Sequence, residues 1–237
     1  MKAVINAVAP LILDEASSVR ETLLELLRAL PPQSVEPHSS LIMLYVHSAM
    51  THLTPEVRAD STRFLDYLVD VAPAEVARLS FLKTLNCFFP LFGWPLEDSS
   101  ATALNSRVTL AASAVTTGLS FGAKASKAKI THLQSLDKLL SMALDSAWAE
   151  SNSSACLFHP DTSKFLLTET PTPYLSLELF TSKASQITVT EDLNDRVAAI
   201  KSTYLIPLKR GLDESLKNGG QPGRIAKNIL STLDSLD

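Results

Sequence analysis

Cysteine is scarce in this chain of 237 residues, which contains only Cys87 and Cys156. Two cysteines at this separation form neither a disulfide framework nor a zinc site, so a reducing compartment is favoured. A basic excess is also absent, because the net charge is −4 and the pI is near 5.7. Nucleic-acid binders normally carry a strong positive field, so any such contact in this chain must be local.

Long hydrophobic runs are absent as well. The most apolar window, residues 81–96, is too short to cross a bilayer and is broken by Lys83, Asn86, Pro90 and Gly93. The segment from Met1 to Asp14 has no small-residue cleavage site and does not form a signal peptide. It resembles the inside of a helical array, so we expect the natural protein to extend upstream of Met1.

Catalytic and cofactor motifs are missing too. The chain has no glycine-rich phosphate loop and no nucleophile elbow. His47 and His52 are five positions apart and so lie on different faces of a helix, which argues against a shared metal. The S-x-x-K pattern occurs twice, at Ser80 with Lys83 and at Ser135 with Lys138. Neither match is accompanied by the other motifs that serine hydrolases of this kind require. The sequence therefore predicts no enzyme, no cofactor and no metal.

What the chain does contain is a repeated Val-Arg pair, Val19-Arg20 and Val57-Arg58. Each pair opens an apolar stripe of helical period, which predicts the second helix of a hairpin. The first helices are predicted at residues 3–13 and 39–53. Paired helices with a period of roughly 40 residues are typical of HEAT and armadillo arrays. Different residues predict where the two second helices begin. The first begins at a capping box of Ser18 with Glu21, and the second begins at Thr54 as a cap, followed by a first-turn proline, Pro55, and an acidic residue, Glu56.

The first unit carries the HEAT pattern in particular: Pro10 in the first helix, Asp14 at the turn, and Val19 with Arg20 opening the second helix. We expect Val19 to close the turn onto the core. We expect Arg20 to reach carboxylates or carbonyls at the hairpin turns and so tie neighbouring repeats together. In the second unit His52 stands where Asp14 would fall, so its contact is expected to follow the pattern less closely.

The rest of the chain predicts further helices and one irregular segment. The densest aromatic cluster consists of Phe81, Phe88, Phe89, Phe92 and Trp94. Aromatic residues at helical spacing predict the core of a third hairpin, and the alternative is an exposed surface that binds a partner protein. The predicted elements are helices at 79–93 and 106–119, a connector at 120–129, a helix at 130–150, a loop at 151–173, and helices at 189–216 and 224–236.

These elements predict an all-α fold of HEAT/armadillo-like helical repeats, an α-α superhelix. Residues 1–119 form the repeats. Residues 120–237 form a C-terminal helical region that continues the solenoid, with one long irregular insertion at about 151–188.

Local basic clusters are the remaining candidates for contacts with RNA or an acidic protein surface, although a solvated surface is the simpler interpretation. The segment 201–227 holds six basic and two acidic residues. The candidates are Lys124, Lys127 and Lys129 in the connector, and Lys209, Arg210, Lys217, Arg224 and Lys227 in the C-terminal hairpin.

Several stretches resemble the Ipi-one family of fungal pre-rRNA-processing proteins, whose animal counterpart is the testis-expressed-ten protein. They are "PLILDEASSVRETLLELLRALP", "LIMLYVHSAMTHLTPEVRADSTRFLDYLVDVAP" and "LKTLNCFFPLFGW". The most specific element is "AMTHL" at Ala49–Leu53, followed by Arg58 and by an aromatic-Leu-Asp sequence at 64–66. Weaker similarity continues to the C-terminus.

The resemblance implies a non-catalytic subunit of the Rix complex, acting on late nuclear pre-60S particles in the nucleoplasm and nucleolus. It further implies support for removal of the second internal transcribed spacer and for recruitment of a midasin-type AAA ATPase. The implied partners are the Rix helical scaffold subunit and a WD-repeat propeller subunit. No association with a membrane is expected. Family members usually carry a basic extension before this region. The alternatives are a generic HEAT-repeat adaptor and an RNA-binding helical-repeat protein.

Overall fold

A computed structural model describes residues 2–96, 123–145 and 193–236. Every regular element in these ranges is a helix, which confirms the all-α prediction and is compatible with a HEAT-like arrangement. The longer α-helices are α1 (Lys2–Val8), α2 (Ser17–Ala29), α3 (Ser39–Met50), α4 (Pro55–Val71), α5 (Phe81–Phe92), α6 (Ala123–Leu144), α7 (Leu193–Ala199), α8 (Leu205–Asn218) and α9 (Gly220–Asp234). The helix predicted at 106–119, the boundary at 119/120 and the irregular insertion at 151–188 lie outside the described residues.

The first four helices form two stacked hairpins. A 3-10 turn, Ala9–Leu13, continues α1 and leads into α2, and α3 with α4 forms the second hairpin. The second hairpin packs on the first, because α3 contacts the 3-10 turn and α4 contacts α2. The second helices α2 and α4 therefore lie side by side, as the repeated Val-Arg pair predicts.

The predicted capping box of α2 is wrong. The helix begins at Ser17 after Ala16, which makes no side-chain cap bond, so Ser18 lies inside the helix. The turn is closed instead by Asp14, whose Oδ1 accepts a hydrogen bond of 2.8 Å from the backbone N–H of Ala16. A side chain of the turn thus satisfies a backbone donor ahead of the helix, and no side chain caps the helix itself.

The second turn uses the same bond with a different side chain. Helix α4 begins at Pro55 after Thr54, as predicted, but the Thr54 side chain makes no cap bond. The Nδ1 atom of His52 accepts a hydrogen bond of 3.1 Å from the backbone N–H of Thr54. His52 and Thr54 occupy the positions in the second unit that Asp14 and Ala16 occupy in the first. The imidazole nitrogen therefore replaces the carboxylate at the same place in the repeat.

The predicted connector at 120–129 is wrong over the part that the structure describes. Helix α6 begins at Ala123 rather than at Ile130. Alanine and lysine favour helix, and they dominate residues 123–129, so local propensity outweighs the linker-like composition. Helix α6 packs against both α4 and α5, in the place that the second helix of a third hairpin would take.

The C-terminal helices begin and end near the predicted positions. Helix α7 continues through a π-helical segment, Ile200–Tyr204, into α8. Gly219 ends α8 with φ of 67°, a left-handed conformation that favours glycine. Helix α9 starts at Gly220, slightly before the predicted Arg224, and it packs on both α8 and α6.

The aromatic residues near the end of α5 belong to the core. Phe88 and Phe89 are fully buried and Trp94 is 6% exposed, so the core interpretation is confirmed. The Trp94 ring stacks on Phe92 with centroids 4.4 Å apart. A Cβ added to Gly211 of α8 would lie 2.3 Å from the Trp94 ring, so only glycine lets the C-terminal hairpin approach this closely. Within the described ranges, no helix is long and apolar enough to span a membrane.

Candidate functional site

Arg20 is the most densely bonded polar side chain that the structure describes, and it lies between the first two hairpins. Its side chain is 2% exposed. Nε and Nη2 converge on Oδ2 of Asp60 at 3.1 and 2.6 Å. Nη1 donates to the carbonyl oxygens of Asp14 and Glu15 at 2.6 and 3.0 Å, and Nη2 donates also to that of Glu56 at 3.2 Å. All five N–H groups of the guanidinium therefore have acceptors.

These acceptors come from both hairpins. Asp14 and Glu15 belong to the turn before α2, whereas Glu56 and Asp60 belong to α4 in the next hairpin. Burying a charge is favourable only when it is paired and fully hydrogen-bonded, and this arrangement meets that condition. The interaction is directional as well, because a planar guanidinium fixes the angle between the elements that it joins.

A more exposed ion-pair network surrounds this contact. Arg63 of α4 lies 3.6 Å from Glu21 of α2 and 3.5 Å from Asp60. The Arg63 side chain is 38% exposed, so water screens these pairs. The buried Arg20 contact therefore contributes most of the polar stabilisation at this boundary, and the Arg63 pairs contribute little.

Arg58 repeats half of the Arg20 contact. Its Nη1 donates to the carbonyl oxygens of His52 and Leu53 at 2.7 and 3.1 Å, which precede it by the same spacing as the turn carbonyls that bind Arg20. Within the described ranges, Arg58 has no carboxylate acceptor on a following helix. The two Val-Arg pairs thus share the turn contact, and only Arg20 also reaches the next hairpin. The paired valines differ in burial, since Val19 is partly exposed and Val57 is fully buried.

Helices α4 and α6 are joined by side-chain hydrogen bonds and one ion pair. Thr62 Oγ1 lies 3.0 Å from Nδ1 of His132. Lys138 donates to the carbonyl oxygen of Asp66 at 3.0 Å and pairs with Asp70 at 2.7 Å. A row of side-chain contacts therefore runs across α2, α4 and α6 and holds the three helices in register.

A second buried histidine joins the first helices of successive hairpins. Nε2 of His47 on α3 lies 2.8 Å from Thr84 Oγ1 on α5. The Thr84 hydroxyl donates its only proton to the Ser80 carbonyl at 2.8 Å, so it must accept from His47. His47 is therefore the neutral tautomer with its proton on Nε2. Its Nδ1 is buried and has no hydrogen-bond partner among the described atoms.

Both histidines are held neutral by their surroundings. Burial lowers the pKa of His47 from 6.5 to about 4, and the charge of Lys83 adds to this effect. Burial likewise lowers the pKa of His132 to about 4; Arg58 lowers it further and Asp60 opposes the change. Each ring is hydrogen-bonded to a threonine of a neighbouring helix, so these shifts arise where successive hairpins pack against each other.

Asp66 shows the opposite shift. Burial raises the pKa of its carboxyl, while the neighbouring Ser135 hydroxyl and the charge of Lys138 oppose the rise. One carboxyl oxygen, Oδ1, is buried with no hydrogen-bond partner among the described atoms. This residue belongs to the aromatic-Leu-Asp element on which the family resemblance rests, and the structure places it against α6.

The predicted basic candidates are spread over several surfaces. On α6, Lys127 is exposed and Lys129 is half-buried, while Lys124 falls on the same helix. Lys209 of α8 pairs with Asp234 at 2.8 Å. The others are exposed on α8 and α9, namely Arg210, Lys217, Arg224 and Lys227. On α8, Asp213 and Glu214 share the exposed face with Arg210 and Lys217, so the charges on that face cancel.

The residues considered for catalysis have other partners. Ser135 Oγ donates to the Thr62 carbonyl at 3.5 Å, and Lys138 is paired with Asp70. His52 accepts from the backbone of its own turn. Across residues 2–96, 123–145 and 193–236, no group of three potential metal ligands is found. These side chains connect elements of the fold.

Asp60 and Arg196 are polar residues of the joints that the sequence patterns do not reveal. Asp60 is the carboxylate acceptor of Arg20 on the next hairpin, 40 residues away. Arg196 of α7 is 3% exposed, and its Nε donates to the carbonyl of Ala143 at the end of α6 at 2.9 Å. Asp60 follows the second Val-Arg pair by two positions, which is a usable signal in retrospect. Arg196 has no comparable pattern.

Removing Arg20 should destabilise the protein more than removing Arg58. Arg20→Ala leaves three carbonyls and Asp60 without their donor, and we expect it to lower the free energy of unfolding by about 2–4 kcal/mol. Arg58→Ala removes bonds to two carbonyls near solvent and should cost about 1 kcal/mol. Urea denaturation followed by circular dichroism measures both values.

Two controls accompany this comparison. Arg63→Ala removes the exposed partner of Asp60 and should cost less than about 1 kcal/mol. Arg20→Lys keeps the charge but cannot serve all the acceptors, so its stability should lie between wild type and Arg20→Ala. Equal losses for Arg20→Ala and Arg63→Ala would contradict the special role of the buried guanidinium.

The two buried histidines should make the protein labile to acid. Their folded pKa values lie below the unfolded value of 6.5, so the unfolded state binds more protons between pH 6.5 and about 4. Stability is then complete above pH 6.5 and falls as the pH drops to about 4, by roughly 3 kcal/mol for each histidine. Asp66, with its raised pKa, acts in the opposite direction.

Denaturation at pH 7 and pH 4.5 measures this loss. The double variant His47→Gln, His132→Asn keeps a polar atom near each threonine but cannot titrate, so its stability should change much less between the two pH values. An unchanged pH dependence in the double variant would show that other groups cause the acid lability.

Comparison with known proteins agrees with the resemblance noted in the sequence. The family model that is described as "Rix1 complex component involved in 60S ribosome maturation" matches residues 33–140. Pre-rRNA-processing protein IPI1 of Meyerozyma guilliermondii is 35% identical over 251 residues, which cover 100% of this chain and 72% of that protein. IPI1 of Scheffersomyces stipitis is 33% identical over 262 residues, which cover 100% of this chain and 70% of that protein. IPI1 of Chaetomium thermophilum is 34% identical over 250 residues, which cover 98% of this chain and 68% of that protein.

These similarities run along the whole chain and include the joint between the first two hairpins. They confirm the resemblance that the sequence stretches indicate, and these relatives are named as pre-rRNA-processing proteins. The chain with this helical stack, its buried Arg20 contact and its two buried histidines therefore belongs to the Ipi1 family of ribosome-biogenesis proteins.

Proposed function

We propose that this chain is a non-catalytic scaffold subunit of the Rix1 complex that acts on late nuclear pre-60S particles. Its direct partners are the larger Rix helical scaffold subunit and the WD-repeat propeller subunit. Through them it supports removal of the second internal transcribed spacer and recruitment of a midasin-type AAA ATPase. The site of action is the nucleoplasm and nucleolus.

The observation that carries this proposal is the fully bonded Arg20 between the first two hairpins. A scaffold must keep a fixed shape while it holds other proteins, and a buried guanidinium with five hydrogen bonds resists bending at the hairpin boundary. The side chains that could have served catalysis are bonded to neighbouring helices, as Ser135, Lys138 and His47 illustrate. Family membership supplies the complex to which such a scaffold belongs.

Purification of the full-length tagged protein from its native cells tests the proposal. We expect the Rix helical scaffold, the propeller subunit and large-subunit rRNA precursors to copurify, as measured by mass spectrometry and by hybridisation to the second internal transcribed spacer. Depletion of the protein should cause precursors that retain this spacer to accumulate. Unrelated partners without precursor rRNA would contradict the proposal and would favour a generic helical-repeat adaptor.

A matched pair of variants connects the joint to the function. Cells that depend on Arg20→Ala should recover less of both partner subunits and accumulate the spacer-containing precursor, whereas cells with Arg63→Ala should resemble wild type. The amount of each variant protein is measured in parallel, so that lower recovery per molecule is separated from lower abundance.

A further inference from the structure

Arg58 has fewer acceptors than Arg20, the arginine at the same place in the first repeat. Only Nη1 of Arg58 is bonded, to the two carbonyl oxygens of its own turn. Its Nε and Nη2 have no acceptor among the described residues, whereas the same atoms of Arg20 bind Asp60. Burial and the charge of Arg58 lower the pKa of His132, so the half-buried guanidinium lies near α6. Its unused N–H groups are therefore available at the boundary between α4 and α6.

The repeat explains why these groups lack an acceptor. Helix α6 corresponds to α4 in register, since Phe64, Leu65 and Leu68 match His132, Leu133 and Leu136, and all of these side chains are buried. The same register places Ala128 at the position of Asp60. A methyl group thus stands in the second joint where the first joint has the carboxylate that binds the arginine. Arg58 therefore needs an anion that α6 does not supply.

Further cations belong to the same part of α6. In this register Lys124 and Lys127 stand where α4 has Glu56 and Ala59. The Lys127 side chain is exposed. Residues 123–136 contain no aspartate or glutamate. The third unit has therefore lost the acids of the second unit and gained two lysines.

Two carboxylates of α4 lie near Arg58, and they do not neutralise this charge. Asp60 is held by Arg20 at 2.6 Å. Glu56 is exposed and forms no ion pair among the described residues. Burial lowers the pKa of Arg58 and the charge of Glu56 opposes this, but no hydrogen bond joins the two side chains. The boundary therefore keeps an excess of positive charge.

The neighbouring side chains indicate the kind of anion. Thr131 and Gln134 follow Lys127 by one and two helical turns, so they continue its face with polar groups. No large apolar or aromatic side chain is exposed on the described part of α6. Protein interfaces usually have an apolar core and little lysine, whereas basic, hydroxyl and amide side chains are the usual partners of phosphate and sugar. Single-stranded RNA is normally bound by exposed aromatic residues, so this face fits the backbone of a duplex better.

The chain that leads into α6 brings no anion of its own. Residues 99–122 contain Arg107 and no aspartate or glutamate. The acids that come before them are Glu97 and Asp98, and the first acid of α6 is Asp137. Local charge therefore favours an anion from another molecule.

We propose that Arg58, Lys124 and Lys127 form a binding surface for the phosphate backbone of double-stranded RNA. The Nε and Nη2 groups of Arg58 bind one phosphate, as those of Arg20 bind Asp60, and Lys127 binds a neighbouring phosphate. Such a contact recognises the shape and charge of a duplex and not its base sequence. The proposal goes beyond the proposed function, because it requires no other subunit.

Binding of the purified full-length protein to a labelled RNA duplex of arbitrary sequence tests this surface. Fluorescence anisotropy measures the affinity at several salt concentrations. Lys127→Gln should weaken binding several-fold and reduce the slope of log affinity against log salt by about 1. Lys83→Gln makes the same change of charge at an exposed residue of α5 and should leave both values nearly unchanged. Equal effects of the two variants would overturn the site, because net charge alone would then explain them.

Two variants of Arg58 separate its fork from its charge. Arg58→Gln should weaken binding several-fold, and Arg58→Lys should weaken it less, because lysine keeps the charge but cannot bind a phosphate through two nitrogens. Melting temperatures are measured in parallel, because Arg58 also bonds its own turn, and affinities are compared where each variant is folded. Wild-type affinity in both variants would overturn the role of the guanidinium.

The carboxylates of the chain itself are tested as the alternative anion. The double variant Glu97→Gln, Asp98→Asn should bind the duplex as well as Glu25→Gln, Glu36→Gln, which removes the same charge from exposed residues of the first units. A larger gain in affinity, with a loss of stability that is not additive with that of Arg58→Ala, would show that these carboxylates hold Arg58. That result would overturn the proposal.

Crosslinking in cells identifies what lies on this surface. A photoreactive amino acid replaces the exposed Gln134 in the full-length protein, and a second strain carries it at the exposed Ser48 of α3. We expect a peptide joined to a nucleotide from the Gln134 probe and none from the Ser48 probe. An adduct to protein alone, or no adduct, would overturn the RNA contact and leave the proposed function intact. Failure of the Rix subunits to copurify would contradict the proposed function and leave the duplex measurement unaffected.

Discussion

The buried guanidinium of Arg20 is the contact on which the arrangement of the first two hairpins depends. A charged group at 2% exposure is costly unless all of its donors are satisfied, and here they are satisfied by the turn before α2 and by α4 of the next hairpin. Apolar burial would hold the helices together at many angles. The guanidinium selects one of them, because its five donors have fixed directions.

The joints along the stack differ in chemistry. The buried part of the first is ionic and uses Arg20 with Asp60, whereas the buried part of the next uses neutral pairs in both layers, His47 with Thr84 and His132 with Thr62, beside the more exposed Lys138–Asp70 ion pair. A neutral imidazole is a good hydrogen-bond partner inside an apolar interface, and it becomes a poor one when it is protonated. The second joint is thus more sensitive to acid than the first, and this difference follows from the side chains used.

Periodicity in the sequence predicts the helical class and the pairing of the first four helices, because one residue in every turn must face the core. It also predicts the position of Arg20. It does not predict Asp60 as the acceptor, because the distance of 40 residues becomes a contact only after both hairpins have formed. Local composition misplaces the start of α6, where alanine and lysine are read as a linker. The capping box at Ser18 fails since Asp14 already closes that turn.

Amide hydrogen exchange of the wild type and Arg20→Ala tests most directly whether the buried guanidinium couples the hairpins. We predict that α2 and α4 lose protection together in the variant, to a similar extent, while α9 keeps the protection that it has in the wild type. A loss confined to the turn at Asp14 and Glu15, with α4 unchanged, would contradict it. The hairpins would then be held by apolar packing alone, and Arg20 would stabilise only its own turn.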